Sequence, residues 1–266
     1  MKASQGNDKR FEIKDFGGLP MRLKGKTAIV TGAASGFGAG IARKFASEGA
    51  EVMVADLNAP EAKTLAQELG GIAQRVDVSR SDSVDEMAEA ARRHWGHVDI
   101  LVNNAGITHL PKPMEEVTEE EFDRVFAVNA KSVYLTARAF VPMMKKAGHG
   151  AILNVASTAG ISPRPKLNWY NASKGWMITA TKTMAVELAP AGVRVNAICP
   201  VAGDTPLLAS FMGEDTPEMR AKFLATIPIG RFSTPQDMGN AACFLCSDEA
   251  SMVTGVALEV DGGRCI

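Results

Sequence analysis

Lys26-Thr27-Ala28-Ile29-Val30-Thr31-Gly32-Ala33-Ala34-Ser35-Gly36-Phe37-Gly38 is the stretch that decides the fold. Residues 26–30 form a short apolar, β-branched run that reads as a strand. The glycine-rich turn follows at once, and Ile41-Ala42-Arg43-Lys44-Phe45-Ala46 reads as a helix. In a strand–turn–helix setting such glycines serve a dinucleotide. They allow a tight turn and close backbone approach, and the free N–H groups of the helix start face a pyrophosphate. The spacing Gly32, Gly36, Gly38 is not the commoner G-x-G-x-x-G, and a plain βα turn is the alternative for this stretch alone.

Working outward, the next strand covers 51–55 and ends at Asp56. A carboxylate there is placed to accept hydrogen bonds from the adenosine ribose hydroxyls and to repel the 2′-phosphate of NADP. Positions 33–37 and 57 hold no arginine to offset that repulsion, so the reading favours NAD. A third strand over 72–76 ends at Asp77-Val78, within reach of the adenine edge. A helix over 81–95 has Ser81 as its expected cap. The strand 99–102 ends in Asn103-Asn104-Ala105-Gly106, small and amide residues that suit either a cofactor crossing the sheet edge or a simple turn. One long helix is expected from 118 to about 146. Asn129 inside it must find polar partners, either in function or in the core. Strands 151–155, 193–198 and 256–260 complete the set. Ala156-Ser157, Cys199-Pro200 and Asp261-Gly262-Gly263 follow their ends.

This βα alternation predicts an α/β fold: a doubly wound, Rossmann-type, seven-stranded parallel sheet with helices on both faces. In such sheets ligands bind beyond the carboxyl ends of the strands. The glycine turn, Asp56, Asp77, Asn104, Ser157 and Pro200 all fall at such ends, which weighs more than any one motif. Residues 22–266 are read as one domain with a substrate lid at about 203–232 containing a short helix. Residues 1–21 are read as a flexible extension.

Tyr170-Asn171-Ala172-Ser173-Lys174 carries the chemistry. At the start of a helix, positions i and i+4 share a face, so an ammonium lies beside a phenol. A nearby cation favours phenolate and brings a tyrosine toward acid–base work at neutral pH. A surface Tyr and Lys on an amphipathic helix is the plainer reading of the pair in isolation.

Composition limits the alternatives. The chain has 266 residues, 46% apolar and 22% charged, with a net charge of −1 and no block of like charge, which argues against nucleic acid or an anionic membrane as partner. No run of apolar residues is long enough to span a bilayer. Cys243 and Cys246 have C-x-x-C spacing, but they lie in a helix-like run with no second ligand pair. They read as buried thiols rather than a metal site, and the sparse cysteines suit a cytoplasmic compartment.

With these motifs together the chain resembles the short-chain dehydrogenase/reductase family. The resemblance rests on Thr31-Gly32-x-x-x-Gly36-x-Gly38, Asn103-Asn104-Ala105-Gly106, Asn129, Ser157, Tyr170-x-x-x-Lys174 and the terminal Asp261-Gly262-Gly263. It implies that Tyr170 is the catalytic acid/base and that Ser157 orients and polarises the substrate oxygen. Lys174 would hold the nicotinamide ribose and lower the Tyr170 pKa. Asn129 would anchor a water passing protons through Lys174. Gly32, Ser35, Gly36, Phe37, Gly38, Asp56, Asp77, Val78, Asn104, Ala105 and Gly106 would bind the cofactor with Tyr170 and Lys174, and Pro200 to Thr205 would cradle its nicotinamide. Val201 departs from the glycine that many members carry after this proline.

The expected activity is NAD-dependent interconversion of a secondary alcohol, such as a polyol or sugar, and its ketone, with NADP the less suited cofactor. The runner-up is a 3-oxoacyl-thioester reductase acting on a carrier protein. A regulator that binds cofactor without catalysis is a third possibility, but its mark would be a broken Ser/Tyr/Lys set. The family resemblance also implies a homotetramer, with a dimer as the alternative. Trp176, Ile178, Met184 and the tail 264–266 would contribute to it.

Overall fold

The computed structural model describes residues 21–266, so all of the expected N-terminal extension except Met21 lies outside it. Seven parallel strands form one sheet in the order β3-β2-β1-β4-β5-β6-β7. They are β1 Thr27–Thr31, β2 Glu51–Asp56, β3 Ile72–Arg75, β4 Ile100–Asn103, β5 Gly150–Val155, β6 Val193–Pro200 and β7 Ala257–Val260. The nine α-helices of the described residues are α1 Gly36–Ser47, α2 Ala59–Leu69, α3 Ser81–Trp95, α4 Glu119–Phe126, α5 Ser132–Ala147, α6 Asn168–Leu188, α7 Leu208–Met212, α8 Pro217–Leu224 and α9 Pro235–Cys246.

Central strands such as TAIVT and ILVN are buried throughout and mostly apolar because both faces are covered. Alternate residues feed two cores. Ala28, Val30, Val52, Val54, Val102 and Leu153 pack with α1, α2 and α9 on one side. Ile29, Met53, Leu101, Ile152 and Val195 pack with α3, α5 and α6 on the other. The chain reverses its direction across the sheet between β1 and β4, the switch point where a crevice opens beyond the strand ends.

Several local expectations are corrected. The long helix is not continuous. α4 ends at Phe126, a π turn covers Ala127–Lys131, and α5 restarts at Ser132. The wide turn is where Asn129 sits, and single π turns of this kind often mark functional sites. Ser81 is the first residue of α3 rather than its cap, which is Arg80. Ser83 Oγ instead accepts the Asp77 N–H at 2.9 Å. The lid region holds two short helices, α7 and α8, because Pro217 with its Thr216 cap starts a second one. Ile178 faces inward against the turn after Ser157, so it is no outer residue. Cys243 and Cys246 are free, buried core thiols. No described helix is long and apolar enough to cross a membrane.

Candidate active site

The glycine turn is built by steric need. Gly32 and Gly36 have φ of +61° and +55°, where a side chain is strained. Gly38 has ordinary φ, but a Cβ there would stand 2.3 Å from Gly32 O and 2.4 Å from Asn104 Nδ2. Only glycine lets α1 seat this close to β1. Ser35 is the N-cap of α1 but makes no side-chain cap bond, and no acidic residue occupies the first turn. The N–H groups of that turn are thus left for an anion, which fits a dinucleotide pyrophosphate.

The surrounding polar groups hold this turn in place. Asn104 Nδ2 donates to Thr31 O and Gly32 O, both at 2.9 Å. Thr31 Oγ1 accepts the Asn104 and Ala105 N–H groups at 3.1 and 3.2 Å. The Asn104 side chain therefore acts as a brace under the turn. Asp56 Oδ2 accepts the Ala34 N–H at 2.9 Å and Oδ1 accepts that of Asn58 at 2.8 Å. Its carboxylate stands at the end of β2 beside the glycine turn. Asp77 Oδ1 takes the Ser79 N–H and hydroxyl, so only its other oxygen is open to a ligand.

One cavity of about 500 Å³ runs from this turn to the tyrosine. Gly32, Ser35, Gly36, Phe37, Asp56, Asp77 and Val78 line one end. Asn104, Ala105, Gly106, Ser157, Tyr170, Lys174, Pro200 and Thr205 line the middle, and Arg164, Phe211 and Phe223 lie further on. Gly38 and Asn129 are not on the wall. They act from beneath it.

α6 begins at Asn168, so Tyr170 and Lys174 do share its first turns and one face. Both are buried, at 5% and 4% exposure. The Tyr170 ring meets Phe211 edge-on at 5.1 Å. Lys174 Nζ donates to Val155 O at 2.8 Å and stands 5.9 Å from the Tyr170 ring centre. Burial pulls the Lys174 ammonium down to about 8. Burial also pushes the Tyr170 phenol up to about 12, with the Ser157 hydroxyl pulling the other way. In the protein alone, desolvation outweighs the Ser157 hydrogen bond, so the phenol stands above its ordinary value.

Asn129 is fully buried, and its amide is met by protein. Oδ1 accepts the Ile107 N–H, and Nδ2 donates to Ile107 O and to Ser173 Oγ, all within 3.0 Å. It nevertheless belongs to the site. A Cβ on Gly106 would lie 3.3 Å from Lys174 Nζ and 3.4 Å from Asn129 Oδ1, so the three converge. Ser157 Oγ accepts the Ala159 N–H at 3.1 Å and lines the cavity at the end of β5.

Arg164, Leu207, Phe211 and Phe223 line the cavity, whereas Asn168, Trp169 and His109 do not. Trp169 Nε1 instead bonds Met114 O, and His109 Nδ1 contacts Leu110 O. Leu208 and Met212 are buried, and Met219 stays off the wall. The sequence reading missed Ser173, whose hydroxyl donates to Tyr170 O at 2.7 Å, and the bracing role of Thr31. Both are hydroxyls beside motif residues, a signal that proximity alone offered.

The chain was compared with known proteins. Residues 32–264 match a family model described as enoyl-(acyl carrier protein) reductase. The 4-formylbenzenesulfonate dehydrogenase of Comamonas testosteroni is 51% identical over 252 residues, covering 92% of this chain and 100% of that protein. The 3-oxoacyl-[acyl-carrier-protein] reductase of Thermotoga maritima is 40% identical over the same shares. A crystal structure of 3-ketoacyl-(acyl-carrier-protein) reductase from Brucella melitensis, complexed with NADH, superposes with a TM-score of 0.88 at 51% identity, covering 92% of this chain and 100% of that one.

Proposed function

Because the chain belongs to the short-chain dehydrogenase/reductase family of oxidoreductases, we propose that it interconverts a secondary alcohol, such as a polyol, sugar or similar hydroxy compound, and its ketone using NAD(H). One observation carries this reading: Tyr170 and Lys174 face a single cavity that begins at the uncapped N-terminus of α1. When bound, the nicotinamide accepts a hydride from the carbinol carbon or returns one to the carbonyl carbon.

The chain supplies the rest. In reduction, the oxygen gains negative charge, and hydrogen bonds from Ser157 and Tyr170 stabilise it where it develops. Tyr170 then gives its proton, which it holds firmly at neutral pH. Lys174, charged below about 8, passes a proton toward the Tyr170 phenolate and, once neutral, takes one up from the Asn129 side of the site. Oxidation runs the same path in reverse.

Asp56 supports NAD over NADP. A carboxylate accepting from ribose hydroxyls contributes roughly 1.5–3 kcal/mol. The same carboxylate facing a phosphate costs on the order of 1–4 kcal/mol. Leu57 beside it is exposed and brings no compensating cation. The NADH held by the related Brucella reductase agrees with this choice.

Two relatives carry acyl-carrier-protein reductase names, which keeps a thioester reductase as the second reading. Against it, the family resemblance implies an arginine at position 186 for a carrier-dependent enzyme, and Val186 stands there, 79% exposed. One kinetic experiment tests the proposal: a panel of alcohols and ketones with NAD(H) and NADP(H), for the wild type and Tyr170→Phe. The wild type should prefer NAD(H) by at least about tenfold to a hundredfold. Tyr170→Phe should still bind cofactor while turnover falls at least about 100-fold. A Tyr170→Phe enzyme of near wild-type rate would end the assignment.

A further inference from the structure

At the end of the cavity away from Asp56 and Asp77, the charge changes sign. Arg164 lines that wall, and no carboxylate does. Arg164 stacks over the Phe223 ring at 4.3 Å and donates to Thr226 Oγ1 at 2.8 Å. Among the described residues it forms no ion pair, although exposed arginines such as Arg43, Arg80, Arg220 and Arg231 each have a carboxylate. A second guanidinium, Arg264, bears on it. Arg264 Nη1 donates to Ser162 Oγ at 3.1 Å, Ser162 lines the same wall, and Arg264 Nε is buried with no partner. Burial and the repulsion of Arg264 both lower the Arg164 pKa, so the cation is held at a cost. Two guanidiniums without ion pairs, at a wall that holds no carboxylate, are neutralised by an anion.

We propose that the substrate is a small organic acid whose carboxylate or sulfonate binds Arg164, with Arg264 adding to the field, while its hydroxyl or carbonyl reaches Ser157 and Tyr170. This rests on the oxidoreductase reading above and narrows its substrate. Phe211 and Phe223 give the body of the substrate flat apolar walls. The planar fork of Arg164 matches two oxygens of one acid group. A thioester-linked acyl chain offers no such group inside the cavity, so the inference also weighs against the carrier-protein reading.

The test pairs each acid with its uncharged ester. Reduction of 3-acetylbenzoate and 4-acetylbenzoate by NADH is compared with that of their methyl esters, for the wild type, Arg164→Gln and Arg164→Lys. The wild type should favour the acids in kcat/KM by about tenfold to a hundredfold, the range of one charge-assisted contact. Arg164→Gln should erase that preference through KM for the acids, with a much smaller effect on the esters, and be partly rescued by Arg164→Lys. Calorimetric titration of 4-acetylbenzoate and its methyl ester into the NAD-loaded protein, a ketone with the oxidised cofactor, gives the same comparison without turnover. Reduction of the esters as efficiently as the acids, or an Arg164→Gln variant that loses both equally, overturns the proposal and leaves the oxidoreductase reading intact. Failure to reduce any carbonyl, together with no binding of NADH, overturns both.

Discussion

Lys174 is a cation kept in a poor solvent. It is 4% exposed, among the described residues it donates only to the neutral Val155 carbonyl, and its pKa falls to about 8 from an ordinary value of 10.5. The sign of the consequence follows from linkage. Between about 8 and 10.4 the unfolded chain binds a proton that the folded chain lacks, so stability rises with pH across that window. Below it, the folded protein carries the whole penalty, on the order of 3 kcal/mol. Lys174→Met removes that penalty and gives back about 1 kcal/mol with the lost bond to Val155. The variant should therefore melt a few degrees higher than wild type at pH 7, with the advantage shrinking at pH 9.5, while turnover falls at least about 100-fold. Thermal melts at the two pH values check this. A variant destabilised equally at both would mean that Lys174 is well solvated in the folded state. Tyr170 is common to both proteins, so its own titration above pH 10 cancels.

The elements show which glycines matter and why. Gly38 and Gly175 both lie inside helices, α1 and α6. A Cβ on Gly38 would strike Gly32 O and Asn104 Nδ2, neither of which can yield without moving β1 or the β4 turn. A Cβ on Gly175 would meet only Gly160 O, at 3.8 Å, an ordinary contact. Gly38→Ala should thus destabilise by about 1–3 kcal/mol and weaken NADH binding. Gly175→Ala should stabilise by about 0.5–1 kcal/mol through helix propensity. Denaturant melts with NADH titration distinguish the two, and similar effects at both positions would refute the steric account.

This contrast also marks the limit of the sequence. The strand run 26–30 and the apolar strands after it were readable because both faces of a parallel sheet demand continuous hydrophobicity. The helix break at Asn129 was not, since Phe126, Val128 and Val133 keep a helical pattern through the π turn. The Asn104 brace and the Thr31 bonds join residues far apart in the chain, which no local period reveals. That Arg164 has a hydroxyl partner and no carboxylate is set by folding, not by its neighbours in the chain.

At the scale of the whole molecule, the surface is unfinished. Among the described residues β7 ends the sheet with one edge unpaired, and edge strands of this kind invite another chain. Tyr134 on α5 and Trp176 and Val186 on α6 are exposed at 55%, 41% and 79%. Both helices cover the same sheet face, so these side chains give that face apolar outer surface. A twofold axis across α5 and α6 and another beside β7 would cover both features, and two perpendicular axes produce a closed tetramer. We therefore expect a homotetramer of the 28.2 kDa chain in light scattering at micromolar concentration. Trp176→Glu combined with Val186→Glu should place charges on the helix face only, splitting the tetramer into dimers held by β7 and leaving the sheet core intact. A wild-type monomer would defeat the prediction outright. A double variant that stays tetrameric would show that α5 and α6 face solvent and that these exposed side chains have no part in assembly.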